Sequence, residues 1–284
     1  MEGANVMGNS GPRLTGPERH LNRIPMTPGT NLGAFNAPAI ADSLRGLTAD
    51  PDRPNLYEIA QALGVRSITT DSYLDRLGHT SWYGGSPAIV LQGGQAPSRQ
   101  RFTLAHELAH TFLRHGRTDD SGLSAAPATR PHFRREEWQA DSVAGCLLVP
   151  EYAVARLRDH RNDDGSSIAT LADIRQTAAT YRVSNSVVAR RLSDFDQSRH
   201  WLLINLKRLP RGHWFTWRII GRLRGIDAVM EVLESNDSIF DSLSDRDSSI
   251  VFLARFGNHI FQLSGSGNRR DDLILILVDR VRRV

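Results

Sequence analysis

The chain has 284 residues, of which 40% are hydrophobic and 23% charged, and this is enough for two domains with a substantial core. The single cysteine excludes an internal disulfide framework. Because the chain lacks a long apolar run that could cross a bilayer or serve as a signal peptide, we expect a cytoplasmic protein that does not enter the membrane. A formal net charge of +4 is weak evidence for nucleic-acid binding, which usually needs a concentrated basic patch.

The first 36 residues are rich in glycine, proline and asparagine, and we expect a flexible leader there. Apolar periodicity then predicts two short helices, around residues 39–47 and 56–63. Two β-rich stretches follow at residues 65–70 and 88–91, and Gly84 and Gly85 mark a turn between them.

The next element carries the most informative pattern, H-E-x-x-H, formed by His106, Glu107 and His110. On a helix the two histidines lie one turn apart on one face, so both imidazoles can bind one metal ion. Glu107 lies one step round the helix, where it can take a proton from the attacking water and pass it to a leaving amine. The apolar residues around the motif indicate a buried helix, for which Ser98 is the expected N-cap and Gly116 the expected stop.

A catalytic zinc ion needs a third protein ligand and an open coordination position. The metzincin pattern is excluded because it requires glycine at position 113 and histidine at 116. A second predicted helix, over residues 134–149, carries Glu137 and Asp141 one turn apart on one face. We therefore predict that Glu137 completes the zinc site and that Asp141 holds the free nitrogen of one ligand histidine.

Other candidate ligands remain open on the sequence alone. Glu136 is the main alternative to Glu137, about 100° away on the same helix. Cys146 and His115 are each nine residues from a predicted ligand, which points them away from the metal. His132 is a weaker ligand candidate. His79, Tyr83 and His132 are candidates for a different role, assisting the zinc in holding the oxyanion.

The run R-F-T-L-A-H-E-L-A-H followed by E-x-x-A-D-x-x-A-x-x-L-L-V-P resembles the ImmA/IrrE family of metallopeptidases, over residues 87–150. The resemblance implies a zincin-like fold, zinc held by His106, His110 and Glu137, and Glu107 as catalytic base. It also implies a protein substrate, a helix-turn-helix transcriptional repressor whose cleavage switches on stress-response or mobile-element genes. By the same resemblance, the strand at residues 88–91 is expected at a sheet edge, where a substrate peptide can add as a strand. An ordinary structural strand is the equally weighted alternative. Val143 and Val149 depart from the family's usual Phe and Met, and both changes are apolar.

Beyond Pro150 we predict a further helix and then two helices around Ser184, with Ser184 as the cap of the second. This pair resembles a helix-turn-helix, in which Arg190 and Arg191 would contact DNA. A DNA-binding or non-catalytic transcriptional regulator that keeps the zincin fold is therefore the alternative function, less favoured than the protease.

From residue 200 the pattern becomes β-rich. We predict strands at residues 201–205, 213–220, 249–254, 259–263 and 273–278, a helix at 226–233, a tight turn at 257–258 and a polar loop at 264–272. The expected fold class is α+β: a leader over residues 1–36, a zincin-like domain with a helical extension over 37–197, and a C-terminal mixed α/β domain over 198–284. A role for the last domain as a sensor or a substrate-docking module is a hypothesis.

Overall fold

The computed structural model of the protein describes residues 35–115, 133–159, 169–196, 200–208, 214–220, 248–256, 259–268 and 273–283. These residues form seven helices and two sheets, a mixed α+β architecture. The chain divides into two compact units, Met1–Leu147 and Leu148–Val284. The domain boundary expected at residue 197 stays a prediction, and residues 1–34 of the expected leader lie outside the described part of the chain.

The first unit begins with two short helices, which confirms the prediction for this region. Helix α1 spans Ala37–Arg45 and α2 spans Leu56–Ala62. Each starts at an asparagine whose side chain accepts a hydrogen bond from a backbone amide of the first turn. That bond satisfies one of the amides that a helix start leaves unpaired.

A three-stranded sheet follows, with strands β1 (Ser67–Asp71), β2 (Gly78–Tyr83) and β3 (Ser86–Gln92) in the order β1-β3-β2. Strand β3 is parallel to β1 and antiparallel to β2. Gly84 and Gly85 have φ values of 56° and 81° and close the β2–β3 hairpin with a two-residue loop. Positive φ at both loop residues suits the right-handed twist of the flanking strands, so the predicted turn is confirmed.

The predicted edge position of the strand at residues 88–91 is wrong. This strand, β3, lies in the centre of the sheet and pairs on both sides. Its Pro87, Ile89 and Leu91 are buried, and one face of the strand therefore belongs to the core. The described strand at the edge on the side of the hairpin is β2, which the sequence analysis did not predict.

Helix α3 (Pro97–Leu113) carries the H-E-x-x-H pattern and packs against α2, β2 and β3. Ala96 occupies the N-cap position and Pro97 the first helical position, so the predicted cap at Ser98 is wrong. Proline is favoured there because its missing amide hydrogen would have no intrahelical partner. At the other end the chain turns at Arg114, whose φ of 56° is left-handed. Gly116, the predicted stop, lies outside the described residues.

Helix α4 (Phe133–Leu148) is the second predicted metal-bearing helix, and its later turns are buried. Ala140, Val143 and Ala144 are fully buried on it. Cys146 is also buried, and its carbonyl accepts a hydrogen bond from Arg45 of α1. The connection between α3 and α4, residues 116–132, lies outside the described part of the chain and includes the candidate His132.

The second unit contains helices α5 (Glu151–Arg158), α6 (Leu171–Tyr181) and α7 (Asn185–Phe195). A capping box formed by Thr170 and Asp173 starts α6. Ser184 occupies the N-cap position of α7, but its side chain makes no capping hydrogen bond.

Arg191 does not fit the predicted contact with DNA. It is buried on α7, where its Nε donates to the carbonyl of Val149 at 3.3 Å. Its partner in that prediction, Arg190, is exposed. Burial and a main-chain partner give Arg191 a structural role within this unit.

The second sheet has the order β5-β4-β8-β7-β6, and each described pair of neighbours in it is antiparallel. Its strands are β4 (His200–Arg208), β5 (Trp214–Ile220), β6 (Ser248–Phe256), β7 (His259–Asn268) and β8 (Leu273–Arg283). All five predicted strands are therefore present. The polar loop predicted from residue 264 is wrong up to Asn268, because β7 continues there and pairs with β6 and β8. The helix predicted at 226–233 and the turn at 257–258 lie outside the described residues.

Candidate metal centre

Helices α3 and α4 bring together His106, His110 and Glu137. One ligand atom from each lies within 4.8 Å of the others. The Nε2 atoms of the two histidines are 2.9 Å apart. Each of these nitrogens lies 3.3 Å from a carboxylate oxygen of Glu137. The three side chains predicted as ligands thus point at one common position.

The spacing of these atoms fits a small tetrahedral ion. Ligand atoms bound at about 2.0–2.2 Å with tetrahedral angles lie roughly 3.3 Å from one another. The two imidazole nitrogens are 2.9 Å apart, and each lies 3.3 Å from a different oxygen of the Glu137 carboxylate, so these separations are close to that value. Two imidazole nitrogens and one carboxylate are also the donors found in catalytic zinc sites that keep one position open.

The electrostatics of the cluster favour a cation. Burial lowers the pKa of His106, but hydrogen bonds to Asp141 and Glu137 and the negative charge of Glu107 outweigh it and raise that pKa to about 10. Burial likewise raises the pKa of Glu137, but hydrogen bonds from His106 and His110 hold it well below its usual range. The carboxylates that retain a proton on His106 would equally stabilise a metal cation at the same place.

The outer nitrogens of both histidines are also engaged. The Nδ1 of His106 lies 2.9 Å from Oδ1 of Asp141, the partner predicted from the sequence. The Nδ1 of His110 lies 2.9 Å from Nδ1 of His115. A proton held on the outer nitrogen leaves the lone pair of Nε2 free to bind a metal, and the hydrogen bond fixes the ring orientation. The sequence analysis correctly placed His115 away from the metal position but did not anticipate this contact.

Glu107 lies on α3 between the two histidines, and only 5% of it is exposed. Its Oε2 accepts a hydrogen bond from the Thr80 hydroxyl of β2 at 2.6 Å. Beside it, Gly78 of β2 leaves no room for a side chain, because an added Cβ would lie 2.9 Å from Oε1 of Glu107. Nothing in the sequence indicated Thr80 or Gly78, since the strand that carries both was not predicted.

The cluster opens to solvent on the side of α4. The Glu137 side chain is 38% exposed and that of Asp141 35%, whereas His110 is 8% exposed. The other residues weighed as ligands from the described part of the chain, Glu136 and Cys146, are not members of the converging group. The arrangement therefore combines a buried carboxylate, a three-donor cluster and a partly exposed side.

A comparison with known proteins places this arrangement in a family. Residues 60–193 match the family model described as the IrrE N-terminal-like domain, Peptidase_M78. The match includes α3, α4 and all five predicted site residues. Residues 60–193 therefore carry a domain of the ImmA/IrrE metallopeptidase family.

Two similar proteins add to this picture. The radiation response metalloprotease IrrE of Deinococcus radiodurans is 32% identical over 95 residues, which is 32% of this chain. The aligned part covers 28% of that relative's length. A solved structure titled as a Mycobacterium tuberculosis transcriptional regulator superposes with a TM-score of 0.52 at 13% identity, covering 87% of this chain and 77% of that one. At that identity the superposition supports a shared fold alone.

The metallopeptidase domain matched over residues 60–193 gives the cluster a general chemistry. A metallopeptidase domain requires a metal ion, and His106, His110 and Glu137 form a group suited to hold one. Among the described residues, no helix is both long and apolar enough to cross a membrane.

Proposed function

We propose that the protein is a zinc-dependent endopeptidase that cleaves a helix-turn-helix transcriptional repressor and so derepresses stress-response or mobile-element genes. The observation that carries this proposal is that His106, His110 and Glu137 offer ligand atoms within 4.8 Å of one another. Glu107, on the same helix as the two histidines, is buried. Metal-dependent hydrolysis of a peptide bond needs side chains that bind the metal ion and a neighbouring carboxylate that acts as a base. The regulatory substrate follows from the family resemblance.

In this proposal His106, His110 and Glu137 hold the zinc ion, and Asp141 and His115 orient the two imidazoles. When bound, zinc supplies Lewis-acid polarisation of the scissile carbonyl and of the attacking water. Glu107 takes the proton from that water and delivers it to the amine that leaves when the peptide bond breaks. Burial of Glu107 keeps bulk water from competing for this proton.

The zinc ligands are tested by measuring metal content with mass spectrometry. The wild-type protein should hold one zinc ion per chain, and Glu137→Ala should lose it. Glu136→Ala is the matched control, because it removes a carboxylate from the neighbouring position of α4 and should keep the metal. Zinc retained in Glu137→Ala but lost in Glu136→Ala would show that the ligand assignment is wrong.

The substrate is tested by incubating the zinc-loaded protein with the helix-turn-helix protein encoded nearest to its gene. We expect cleavage at a defined bond, seen as two fragments by mass spectrometry and abolished by a chelator. One zinc ion per chain with intact repressor after incubation would contradict this substrate, and a protein that binds no zinc would contradict the enzyme function altogether.

The alternative function, a DNA-binding or non-catalytic regulator, rests on the helix pair α6 and α7. They are separated by residues 182–184, and Arg190 of α7 is exposed. It predicts salt-sensitive binding to duplex DNA that survives removal of zinc. The burial of Arg191 removes one of the two arginines on which that function depended.

A further inference from the structure

Strand β2 meets helix α3 at the side chain of Glu107. The Thr80 hydroxyl donates to Oε2 at 2.6 Å, and it also lies 3.4 Å from the main-chain carbonyl of Glu107. Two residues earlier, a Cβ on Gly78 would lie 2.6 Å from Cγ2 of Thr103 and 2.9 Å from Oε1 of Glu107. The backbone of β2 therefore passes against the carboxylate, and glycine is the residue that permits this approach.

The hydrogen bond from Thr80 is suited to hold the Glu107 carboxylate in one orientation. The distance of 2.6 Å between the two oxygens is at the short end of hydroxyl hydrogen bonds, which commonly measure about 2.7–2.8 Å. Threonine is branched at Cβ, which limits its rotamers, and Thr80 is held in the ladder opposite Ile89 of β3. The hydroxyl is thus fixed in place before substrate arrives.

A second set of contacts holds the start of β2 against α3. The side chain of Gln95 donates to the carbonyl of Leu77 at 2.7 Å and accepts from the hydroxyl of Thr103 at 2.9 Å. At the other end of β2, the indole of Trp82 donates to the carbonyl of His115. The strand is therefore tied to the helix on both sides of Thr80, so the position of its hydroxyl relative to Glu107 is set by several contacts.

We propose that Thr80 is a positioning residue that holds the carboxylate of Glu107 in the orientation of a general base, with Gly78 providing the space for it. The proposal rests on the proposed function in so far as Glu107 is the base. Oε2 is held by Thr80 and Oε1 lies against Gly78, so both oxygens of the carboxylate have a fixed position. A freely rotating carboxylate would spend much of its time in unproductive orientations.

The kinetic test uses Thr80→Val, which keeps the shape and removes the hydroxyl, and Thr80→Ser, which restores it. The substrate is the peptide cut fastest by the wild type in a library of proteome-derived peptides. We expect Thr80→Val to lower kcat between about 10- and 100-fold with KM within about twofold, and Thr80→Ser to recover kcat to within about threefold. Gly78→Ala should behave like Thr80→Val, because the added methyl group would lie 2.9 Å from Oε1 of Glu107 and would force the carboxylate to shift.

Thr111 offers a matched control, because its hydroxyl also forms a hydrogen bond with Glu107. Its hydroxyl donates to the main-chain carbonyl of Glu107 at 2.9 Å, whereas that of Thr80 donates to the carboxylate at 2.6 Å. Thr111→Val removes the same atom as Thr80→Val and should leave kcat unchanged. An equal loss of kcat in both variants would assign the Thr80 effect to general destabilisation.

A second readout needs neither zinc nor substrate. In the metal-free protein, Thr80→Val should lower the urea midpoint in the wild-type background and have a smaller effect in a Glu107→Ala background. Thr111→Val should have the same effect in both backgrounds, because Glu107→Ala keeps the carbonyl.

Each outcome decides the proposal. Additive effects of Thr80→Val and Glu107→Ala on the urea midpoint would show that the two side chains do not interact, which would overturn the proposal. Non-additive effects together with an unchanged kcat in Thr80→Val would show that the contact has no role in the reaction. Coupling in a wild-type protein that cuts no peptide would contradict the proposed function while supporting the contact between Thr80 and Glu107.

Discussion

At the scale of single residues, Glu107 is expected to govern turnover without governing metal content. Glu107→Gln keeps the size of the side chain and an oxygen that can accept from Thr80, but an amide cannot take up the proton of the attacking water. We expect kcat to fall roughly 100- to 10,000-fold with one zinc ion still bound. Peptide cleavage and metal content measured on the same preparation test this. A variant that loses its zinc would make Glu107 part of the metal-holding set instead.

Asp141 is expected to act on metal affinity through His106. Its Oδ1 lies 2.9 Å from Nδ1 of that ligand, and such outer partners fix the ring and increase its basicity. Asp141→Asn should raise the zinc dissociation constant about 10- to 100-fold, as measured by competition with a chromogenic chelator. Glu136→Gln makes the same change of charge five residues earlier on α4 and should change the constant by less than about threefold. Equal effects of the two variants would mean that only net charge matters.

The residues of the cluster differ in how far sequence could reveal them. His106, Glu107 and His110 follow from helical spacing, because four residues make one turn whatever the tertiary structure. Glu137 and Asp141 required a second helix with the same periodicity. Thr80 and His115 make contacts that helical periodicity does not predict. Thr80 lies on a strand, 27 positions before Glu107, and His115 follows the left-handed residue at which α3 ends.

At the scale of elements, two helices end at a residue in an unfavourable backbone conformation. Arg114 after α3 and Arg182 after α6 have φ values of 56° and 54°. The left-handed region costs a residue with a Cβ about 1 kcal/mol or more, and glycine avoids that cost. Allowing for the greater entropy of glycine in the unfolded chain, Arg182→Gly should stabilise the protein by roughly 0.5–1 kcal/mol in urea denaturation.

The opposite substitution, from glycine to a residue with a Cβ, can be made at Gly64. It has a φ of 72° and no atom within 4 Å of the Cβ position, so Gly64→Ala introduces backbone strain without a clash. We expect this variant to lower the free energy of unfolding by about 1 kcal/mol. Stability that is unchanged in both Gly64→Ala and Arg182→Gly would contradict the argument from φ.

The helices and the C-terminal strands were more predictable than the first sheet. Helices α1 to α7 repeat apolar residues at the helical period, and that signal is local. Strand β2 is short, Gly-His-Thr-Ser-Trp-Tyr, and only its Trp82 is fully buried, so it shows no alternating pattern. Strand β3 is central because it pairs in parallel with β1 in addition to its hairpin partner β2. The residues of β3 do not by themselves specify this pairing with an earlier strand.

At the scale of the whole molecule, the chain divides into two compact units after Leu147, within α4. The domain boundary expected from composition, where helices give way to strands at residue 197, stays a prediction. The family match over residues 60–193 continues across this point into α5, α6 and α7. Composition reports the type of an element, but the division into units depends on which elements pack together, and that information is not local.

All three predicted zinc ligands lie in the unit Met1–Leu147, so metal binding should stabilise that unit selectively. An ion that binds the folded state alone adds RT ln(1 + [L]/Kd), which is about 2.7 kcal/mol at a free concentration of 100 Kd. For a domain of this size that corresponds to a rise in Tm of roughly 5–10 °C. Calorimetry of the chelated and the zinc-loaded protein should show the shift, confined to one transition if the two units unfold separately. Glu137→Ala should show no shift and Glu136→Ala the full one, whereas an undiminished shift in Glu137→Ala would place the stabilising ion elsewhere.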